Sequence, residues 1–577
     1  MVRVIPDVVG LVKEFDYLVP DGHEVPPVGS MVRIQLGPRR VAAWISAVGV
    51  GPPEGLDLRP LSKISGLGPP APVIDLARWV ARCWAGPLPA VLGAASPPRM
   101  VRSLPAAGHL TSMSAEMAGD GAEIAEVTVR RLRPDSDTAD VVAEAVGRAP
   151  AIVIAPSIEA AVRLARRLRA GGLDVALLPD EWAAAAAGGR VVVGTRLAAL
   201  APCVDERAIV VVDEHDEAHQ ETRTPTWHAR DIAIERGRRR GVPVVVTSPC
   251  PSVATLVQGR LVAPPRNEER RGWAQLEVID LREEDPTEGL LSSPLVRALR
   301  RPGPVACVLN RTGRARLLAC PSCRQLACCD RCDGAVAQVR ARNAGDGGLF
   351  DEGGDILRCR RCGEERPVVC HHCGTTRLAQ LRPGVARLRR DLEALLGEPV
   401  AEISAQGASP AGTTARVSIG TEAVLHRTAE VSTVAFVDFD QELTAHRHRA
   451  AEEALVLLAR ASRLVGGRRG RVVVQTRRPT DTVLRAALHG DPGLVAAEES
   501  VRRRLLGYAP FGAVAVISGA GASTYATRLR RHGASVDGPT GDRWLVRATD
   551  RDSLVAGLVA VPRPSGRLRI EVDPLRG

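Results

Sequence analysis

Eight of the thirteen cysteines form four C-x-x-C pairs, and this spacing constrains the fold more than any other feature of the 577-residue chain. Two residues between thiolates let both sulfurs face one ion, and Zn²⁺ takes four such ligands in a tetrahedron. Both sites would be closed, so the metal would be structural; an iron–sulfur cluster or reduced thiols are the alternatives. The pairs predict two zinc ions per chain, held by Cys320, Cys323, Cys329, Cys332, Cys359, Cys362, Cys370 and Cys373.

Five further cysteines lie outside these pairs. Cys328 adjoins Cys329 and could compete for its place as a ligand. His371 and His372 lie inside a knuckle, and we expect them to be solvated neighbours of the metal site. The isolated cysteines are predicted to be buried as small hydrophobic side chains, and they are Cys83, Cys203, Cys250 and Cys307.

Composition favours a polyanionic partner without requiring one. Lys+Arg number 77 against 66 Asp+Glu, which gives a net charge of +11. Only Lys13 and Lys63 are lysines, and such arginine enrichment is typical of a GC-rich genome, so a generally basic protein is the alternative. The N-terminus has no long apolar segment, and no run approaches the ~18 apolar residues that span a bilayer. We therefore predict a cytoplasmic protein without a membrane partner.

The chain is predicted to be a multidomain α/β protein. Residues 1–66 alternate short β-rich runs with Gly and Pro turns, typical of a small β domain, and residues 67–105 are predicted to form a small winged-helix-like domain. Apolar strands alternate with helices over 106–270 and 271–480, which predicts two lobes built on doubly wound parallel sheets. The cysteine-rich insertion, 318–376, interrupts the second lobe, and 481–577 is predicted to be a DNA-binding α+β domain.

An acidic strand end suggests half of a nucleotide site. The run V-V-V-D-E-H-D places Asp213 and Glu214 where helicase-type ATPases present their magnesium carboxylates. Such enzymes also need a loop G-x-x-x-x-G-K-[ST] to hold the phosphates, and the two lysines of this chain lie in no such loop. Asp213 and Glu214 could still bind Mg²⁺, but a solvated strand end is the expectation.

Taken in order, these features resemble the PriA family of replication restart helicases. The strings F-D-Y-L-V-P (15–20) and V-G-S-M-V-R-I-Q-L-G-P-R-R (28–40) are similar to its 3′-end-binding domain. The lobes carry similar strings in W-H-A-R-D-I-A (227–233), S-P-C-P-S, V-L-N-R-T-G, I-G-T-E, V-D-F-D, R-A-A-E-E and V-V-V-Q-T. The resemblance implies two RecA-like helicase lobes. It also implies nested cysteine pairing, in which the first and last C-x-x-C pairs share one ion and the middle pairs share the other.

The departures from the family pattern predict a motor that has decayed. Where the family has its phosphate loop, residues 129–140 read V-R-R-L-R-P-D-S-D-T-A-D, without glycine or lysine. The family's G-R-A-G-R string becomes Ala459 to Arg463 here, so Arg463 is either a former arginine finger or a surface charge. These changes argue against ATP and Mg²⁺ as cofactors. Trp227 in W-H-A-R could contact DNA or fill the core.

The predicted function is a DNA-binding restart factor that recognises forked and single-stranded DNA and recruits other primosome and replication proteins, without helicase activity. One alternative is an active ATP-dependent 3′→5′ DNA helicase with an unorthodox nucleotide site. Another is a zinc-bearing interaction protein that has lost DNA affinity.

The predicted DNA contacts lie in the N-terminal domain. An aromatic ring, Phe15 or Tyr17, would stack on or wall the terminal base, and Asp16 would accept a hydrogen bond from its 3′-hydroxyl. The alternative places both rings on the core face of a strand and Asp16 in solvent. Phosphate contacts are predicted for Arg33, Arg39 and Arg40, with Arg59 or Lys63 as further candidates.

Overall fold

The computed structural model describes residues 1–11, 13–49, 58–110, 126–284, 290–309, 318–340, 355–359, 361–380, 385–404, 407–408, 415–445 and 447–574. Among these residues, no helix is both long and apolar enough to cross a bilayer.

The N-terminal strands form an antiparallel sheet of order β2-β1-β4-β3-β5. A bridge between Leu18 and Pro60 joins the chain after β2 to the chain before β5, so the sheet curls over its own core. The small β domain is confirmed as a fold. Its strands are β1 (Val2–Pro6), β2 (Phe15–Tyr17), β3 (Met31–Leu36), β4 (Arg39–Val48) and β5 (Lys63–Gly66).

The winged-helix prediction for residues 67–105 is wrong. This segment contains two helices, α1 (Ala71–Cys83) and α2 (Leu88–Ala95), and a single bridge between Leu67 and Val101 instead of a β-hairpin wing. Pro97 and Pro98 follow α2 and cannot donate ladder hydrogen bonds. The apolar faces of both helices pack into one core with the first lobe and the C-terminal domain.

The first lobe is a seven-stranded parallel sheet of order β12-β6-β11-β10-β7-β9-β8, with helices on both faces, as predicted. Its strands are β6 (Val127–Arg131), β7 (Ala151–Ile154), β8 (Val175–Leu177), β9 (Val191–Gly194), β10 (Ala208–Val211), β11 (Val244–Ser248) and β12 (Arg260–Val262). Its helices are α3 (Thr138–Val146), α4 (Ile158–Ala170), α5 (Trp182–Ala186), α6 (Ala229–Arg240), α7 (Val253–Leu256) and α8 (Arg266–Gly272).

The second lobe repeats this plan in a sheet of order β13-β24-β23-β14-β22-β20-β21, parallel except for β21. Its strands are β13 (Gln275–Asp280), β14 (Val305–Val308), β20 (Val400–Ser404), β21 (Gly407–Ala408), β22 (Val417–Gly420), β23 (Thr433–Phe436) and β24 (Arg471–Thr476). Its helices are α9 (Ser293–Leu299), α10 (Val385–Leu396), α11 (Ala423–Arg427), α12 (Asp440–Leu443) and α13 (Ala450–Leu464).

The cysteine-rich insertion leaves the second lobe after β14 and is closed at its base by a short antiparallel pair. This pair is β15 (Leu318–Ala319) with β19 (Ala379–Gln380), and a three-stranded sheet is formed by β16 (Val336–Arg340), β17 (Asp355–Cys359) and β18 (Glu365–Pro367).

The C-terminal segment is an α+β unit, as predicted. Two helices, α14 (Thr482–His489) and α15 (Gly493–Leu506), precede an antiparallel sheet of order β26-β27-β25-β28. The sheet and its helices share the core of the first lobe. The remaining elements are β25 (Ala513–Ser518), α16 (Ala522–Arg531), β26 (Ser535–Thr540), β27 (Arg543–Ala548), α17 (Arg551–Ala560) and β28 (Arg569–Val572).

Candidate functional site

The eight paired cysteines form two separate tetrads, and the nested pairing implied by the family resemblance is confirmed. Within each tetrad the four Sγ atoms lie within 4.8 Å of one another. A tetrahedral zinc with Zn–S bonds of about 2.3 Å requires sulfurs about 3.8 Å apart, so the donor set fits that ion. The outer tetrad is Cys320, Cys323, Cys370 and Cys373, and the inner tetrad is Cys329, Cys332, Cys359 and Cys362.

Local backbone geometry makes these knuckles possible. Gly363 and Gly374, each directly after a C-x-x-C pair, have φ of +80° and +76°. Glycine adopts this left-handed conformation without the steric cost that a Cβ would impose. Each glycine N–H donates to the carbonyl of the first cysteine of its pair, which closes the turn around the thiolates.

The neighbours of the tetrads are not ligands. Cys328 lies outside both tetrads, and its Sγ accepts a hydrogen bond from Arg478 Nη1 at 3.4 Å. His371 and His372 are exposed, as expected, and His371 Nδ1 lies 2.9 Å from a carboxylate oxygen of Asp330. The isolated cysteines are all buried, as predicted: Cys83, Cys203, Cys250 and Cys307.

The acidic strand end is not solvated, which corrects two expectations. Asp213, two residues after β10, is only 8% exposed and lies against α13 of the second lobe. Arg463 donates to its two carboxylate oxygens at 2.8 and 3.1 Å and to the Pro134 carbonyl at 2.8 Å. Arg463 is therefore neither a free surface charge nor poised toward a ligand, because its guanidinium bridges the magnesium-type carboxylate and the loop after β6.

The ionisation of Asp213 reflects this contact. Burial opposes the charged carboxylate, but the charge of Arg463 and its hydrogen bonds outweigh burial, so the pKa of Asp213 lies well below its ordinary value. Glu214 is also engaged, accepting from the Ser252 N–H at 2.7 Å and from Arg230 Nη1 at 3.2 Å. Neither carboxylate is left free to hold a hydrated metal ion.

The loop after β6 does not form a phosphate cradle. Asp137 caps α3, and its carboxylate accepts from the Ala139 N–H at 2.9 Å. A phosphate at this helix start would meet that negative charge in place of free N–H donors. On the other side, a side chain at Gly467 would come within 3.0 Å of an Asp135 carboxylate oxygen, so the second lobe abuts the loop closely.

A second ion pair joins the lobes beside the first. Arg460, one turn before Arg463 on α13, lies 2.7 Å from Asp216 of the first lobe, and it also contacts Glu422. Near the start of α13, Glu452 accepts from the Val253 N–H at 2.7 Å. Three side chains of one helix thus hold the second lobe against the first across the cleft.

The V-D-F-D string of the second lobe also forms an internal network. Asp440 is fully buried and accepts from the Thr476 hydroxyl and the Arg477 N–H. Burial and the nearby carboxylate of Asp438 raise the pKa of Asp440 to about 6. One oxygen of Asp438, Oδ1, is buried without a hydrogen-bond partner.

The W-H-A-R string does not form a DNA-contacting loop. Trp227 is 2% exposed and packs in the first lobe's core, so the core alternative is confirmed. Arg230 is 3% exposed and is hydrogen-bonded to Glu214 and Asp231.

The N-terminal strand β2 places the predicted DNA-binding residues on its two faces, Phe15 and Tyr17 on one and Asp16 on the other. Phe15 and Tyr17 both pack on the domain core, and the Tyr17 hydroxyl donates to the Gln35 carbonyl at 2.8 Å. Tyr17 is therefore not available for stacking, whereas Phe15 is only partly buried. Asp16 lies on the opposite face and is not simply solvated, because Arg3 donates to both its oxygens at 2.8 and 3.2 Å.

The predicted phosphate contacts lie in the β3–β4 hairpin, where the register places Arg33 and Arg40 on one face and Arg39 on the other. Arg33, Arg39 and Arg40 are exposed, and Arg39 and Arg40 begin β4 beside the β3 strand that carries Arg33. Arg40 donates to the Ser62 carbonyl at 2.9 Å, and Arg33 pairs in register with Lys63 of β5.

Comparisons with known proteins agree with the sequence resemblance. Residues 3–97 match the family model of the 3′DNA-binding domain (3′BD) of PriA, a match that runs from β1 through α2. The replication restart protein PriA of Haemophilus influenzae is 28% identical over 355 residues, covering 57% of this chain and 47% of that protein. PriA of Bacillus subtilis is 24% identical over 410 residues, covering 64% and 49%, and PriA of Thermotoga maritima is 25% identical over 354 residues, covering 57% and 46%.

The predicted resemblance to PriA is thus confirmed, and the chain spans about half the length of the curated relatives it matches. Among solved structures, Saccharomyces cerevisiae Dbp5 bound to RNA and ADP BeF3 aligns with a TM-score of 0.33 at 12% identity, covering 66% of this chain and 89% of that one.

Proposed function

We propose that this protein is a cytoplasmic replication restart factor that binds forked DNA at a free 3′ end and recruits other replication proteins, and that its helicase-like core does not hydrolyse ATP. The observation that carries the proposal is the combination of a 3′DNA-binding domain match with a cleft in which Arg463 takes the place of a metal ion and phosphates. The two lobes then serve as a rigid support for the DNA-binding and metal-binding modules.

The absence of a motor follows from the groups that phosphoryl transfer requires. Catalysis depends on preorganised backbone donors, a lysine and a magnesium ion around the transferred phosphate. Here the loop offers a capping carboxylate, and Asp213 and Glu214 are each held by an arginine. A nucleotide would have to displace the Arg463 ion pair and would find no cradle in exchange.

DNA recognition is assigned to the N-terminal domain. Asp16 is held by Arg3, but a carboxylate offers about four acceptor positions, so it can still accept a hydrogen bond from a terminal 3′-hydroxyl. The partly buried Phe15 forms the apolar wall beside the terminal base. Tyr17 supports the strand from the core side, and Arg33, Arg39 and Arg40 bind phosphates. Residues 481–577 provide further DNA contacts.

The metal in both cysteine tetrads is assigned as zinc. Four thiolates without an open coordination position suit a closed structural site, so the ions stabilise the insertion and take no part in catalysis. Structural zinc of this kind contributes folding free energy, about 10–16 kcal/mol in model zinc fingers. The insertion is therefore expected to lose its structure when the metal is removed.

Binding to two forks that differ at one group tests the DNA assignment. The wild-type chain should favour a fork with a free 3′-hydroxyl over one blocked by a 3′-phosphate by about 10–150-fold, the equivalent of about 1.5–3 kcal/mol for one charge-assisted hydrogen bond. Asp16→Ala should abolish this preference, whereas Asp21→Ala, in an exposed turn of the same domain, should retain it. Equal binding of both forks by the wild type would show that the domain has no pocket for the 3′ end. Failure to bind any fork would overturn the proposed function.

The competing helicase function is tested by ATP turnover. We expect no hydrolysis above background with forked DNA. Fork-stimulated hydrolysis that Asp213→Ala abolishes would establish the active helicase instead.

A further inference from the structure

Five exposed arginines lie together where α8 meets the turn before β24, and we refer to them as the α8–β24 patch. Its members are Arg270, Arg271, Arg468, Arg469 and Arg471. They belong to the two short segments R-R-G (270–272) and G-R-R-G-R (467–471), which are nearly two hundred residues apart in the sequence.

The fold brings these segments into contact through the backbone. Gln275 pairs in register with Arg471 in the β13–β24 ladder, and the Gln275 side-chain amide donates to the Arg468 carbonyl at 3.0 Å. Gly467 lies so close to the end of α8 that a side chain there would meet the Arg271 carbonyl at 2.9 Å. These contacts hold the two segments of the patch together, and the five arginine side chains are exposed.

The charge of the patch is not neutralised within the protein. Of its five guanidinium groups, Arg270, Arg271, Arg468 and Arg471 make no ion pair with any described carboxylate, and Arg469 donates only to the Gly466 carbonyl at 3.3 Å. Arginines elsewhere are commonly paired, as Arg238 and Arg239 are with Glu235. Exposed carboxylates at its margins are Glu268 and Glu430, and the partly exposed Asp135 pairs with Arg133, so the five arginines keep the local balance positive.

We propose that the α8–β24 patch binds the phosphate backbone of duplex DNA, as a contact separate from the 3′-end pocket. Guanidinium groups pair with phosphates, and this sequence-independent attraction dominates the affinity of DNA-binding proteins. A single strand would call for aromatic side chains on which bases stack, but neither segment contains one, and Trp273, directly after the first segment, is 3% exposed. The patch thus offers charge without a stacking surface, which matches a duplex arm.

The position of the patch supports this assignment. Gly467 and Gly272 pack against Asp135 and Arg133 of the first lobe, so the patch borders the cleft that Arg463 closes. Because the ion pairs of α13 hold the two lobes together, these arginines keep a fixed position relative to the N-terminal domain. A duplex arm can then be held while the 3′ end is bound elsewhere.

The salt dependence of binding tests the inference, which rests on the DNA binding of the proposed function. The probes are a short blunt duplex whose 3′ ends carry phosphate, so that the 3′-end pocket does not contribute, and a single strand of the same length. Each phosphate contact adds about 0.9 to the slope of log K against log salt on duplex DNA. The double variant Arg468→Gln/Arg471→Gln should therefore reduce the magnitude of the slope of log K against log salt on the duplex by about 2.

The matched control removes the same charge at exposed arginines on other surfaces, Arg148→Gln/Arg297→Gln, and should leave the slope near that of the wild type. Equal slopes for the patch and control variants would overturn the inference. A reduction of the slope that is seen only with the single strand would overturn it as well. If the wild type discriminates forks by their 3′ ends but does not bind the duplex, only this inference fails. If it binds no DNA, the proposed function fails with it. Unchanged thermal unfolding of the patch variant confirms that its fold is intact.

Discussion

At the scale of single residues, one arginine decides what the cleft can do. Arg463 neutralises Asp213 and donates to the Pro134 carbonyl, so the protein supplies its own cation to the carboxylate at this strand end. Arg460 repeats the arrangement with Asp216. Asp213 and Asp216 are three residues apart in sequence, and so are Arg460 and Arg463. Side chains three residues apart lie on the same face of a helix, so one face of α13 meets both carboxylates.

Breaking this ion pair should destabilise the cleft without any ligand. Arg463→Met leaves a buried carboxylate unpaired, so we expect the opening free energy of the β10 amides in hydrogen exchange to fall by about 1.5–3 kcal/mol, the usual value for hydrogen bonds to a charged group. Arg463→Met combined with Asp213→Asn should recover part of this loss, because the unpaired charge is gone. Equal protection in the wild type and the single variant would contradict the prediction.

The same pair should give a defined pH dependence. The pKa of Asp213 is depressed in the folded state, so its stabilisation is complete above the unfolded value of about 3.9 and is lost as pH falls toward the folded value. The excess in thermal midpoint of the wild type over Arg463→Met should therefore be largest near neutral pH and shrink as pH falls, because the unpaired buried carboxylate of the variant takes up a proton before the paired one does. A difference that grows on acidification would exclude this ion pair as its source.

The buried acids of the second lobe should show the opposite sign. The pKa of Asp440 is raised to about 6, so this carboxyl disfavours the folded state progressively as pH rises from its unfolded value through 6. Asp438→Asn removes the neighbouring charge and should flatten this part of the stability profile, measured as thermal midpoint between pH 4 and 7. A conservative change elsewhere in the core, Val434→Ala, should lower the midpoint at all pH values without changing its pH dependence.

At this scale, the residues of the candidate site can be predicted from the sequence more fully than the contacts that they make. The acids, Arg463 and all eight cysteines were found, because each is a local pattern in the chain. Their partners were not, because Asp213 meets Arg463 only after two lobes have folded, 250 residues apart. The Asp137 cap carried a usable signal, since Asp before a helical run commonly caps its N-terminus.

At the scale of elements, the cysteine insertion shows how much local spacing determines. Each C-x-x-C knuckle forms within a few residues, and the nested arrangement follows from the family resemblance, so both tetrads were predictable. Residues 67–105 show the limit of such prediction. Their two helices pack against the first lobe and the C-terminal domain, and such contacts with distant parts of the chain cannot be predicted from the local sequence.

Two adjacent cysteines should have different effects on metal content. Cys329→Ser removes a ligand of the inner tetrad and should lower zinc from about two ions per chain to about one, with proteolysis confined to the insertion. Cys328→Ser, one residue away, should leave both ions bound because Cys328 belongs to neither tetrad. Elemental analysis of both variants decides this, and zinc loss from the Cys328 variant would show that the ligand assignment is wrong.

At the scale of the whole molecule, the ion pairs of α13 join the two lobes across the cleft. In a two-lobed ATPase, a ligand shifts the equilibrium between open and closed states only through its different affinities for them. Here α13 contributes Arg460, Arg463 and Glu452 to contacts with the first lobe that are made by protein groups alone. The lobes are therefore expected to keep one arrangement whether or not ATP is present.

Small-angle scattering can test whether this arrangement is fixed. The radius of gyration of the wild type should be the same with and without ATP and Mg²⁺, because Asp213 and Glu214 are each already held by an arginine. Arg460→Ala/Arg463→Ala removes both arginine contacts across the cleft and leaves Asp213 and Asp216 of the first lobe without these cationic partners, so its radius of gyration should increase. Arg148→Ala/Arg297→Ala makes the same charge change on exposed surfaces and should leave it unchanged. Compaction of the wild type on adding ATP and Mg²⁺ would show that the cleft still responds to nucleotide, and the rigid support proposed for the DNA-binding modules would then have to be replaced by a moving one.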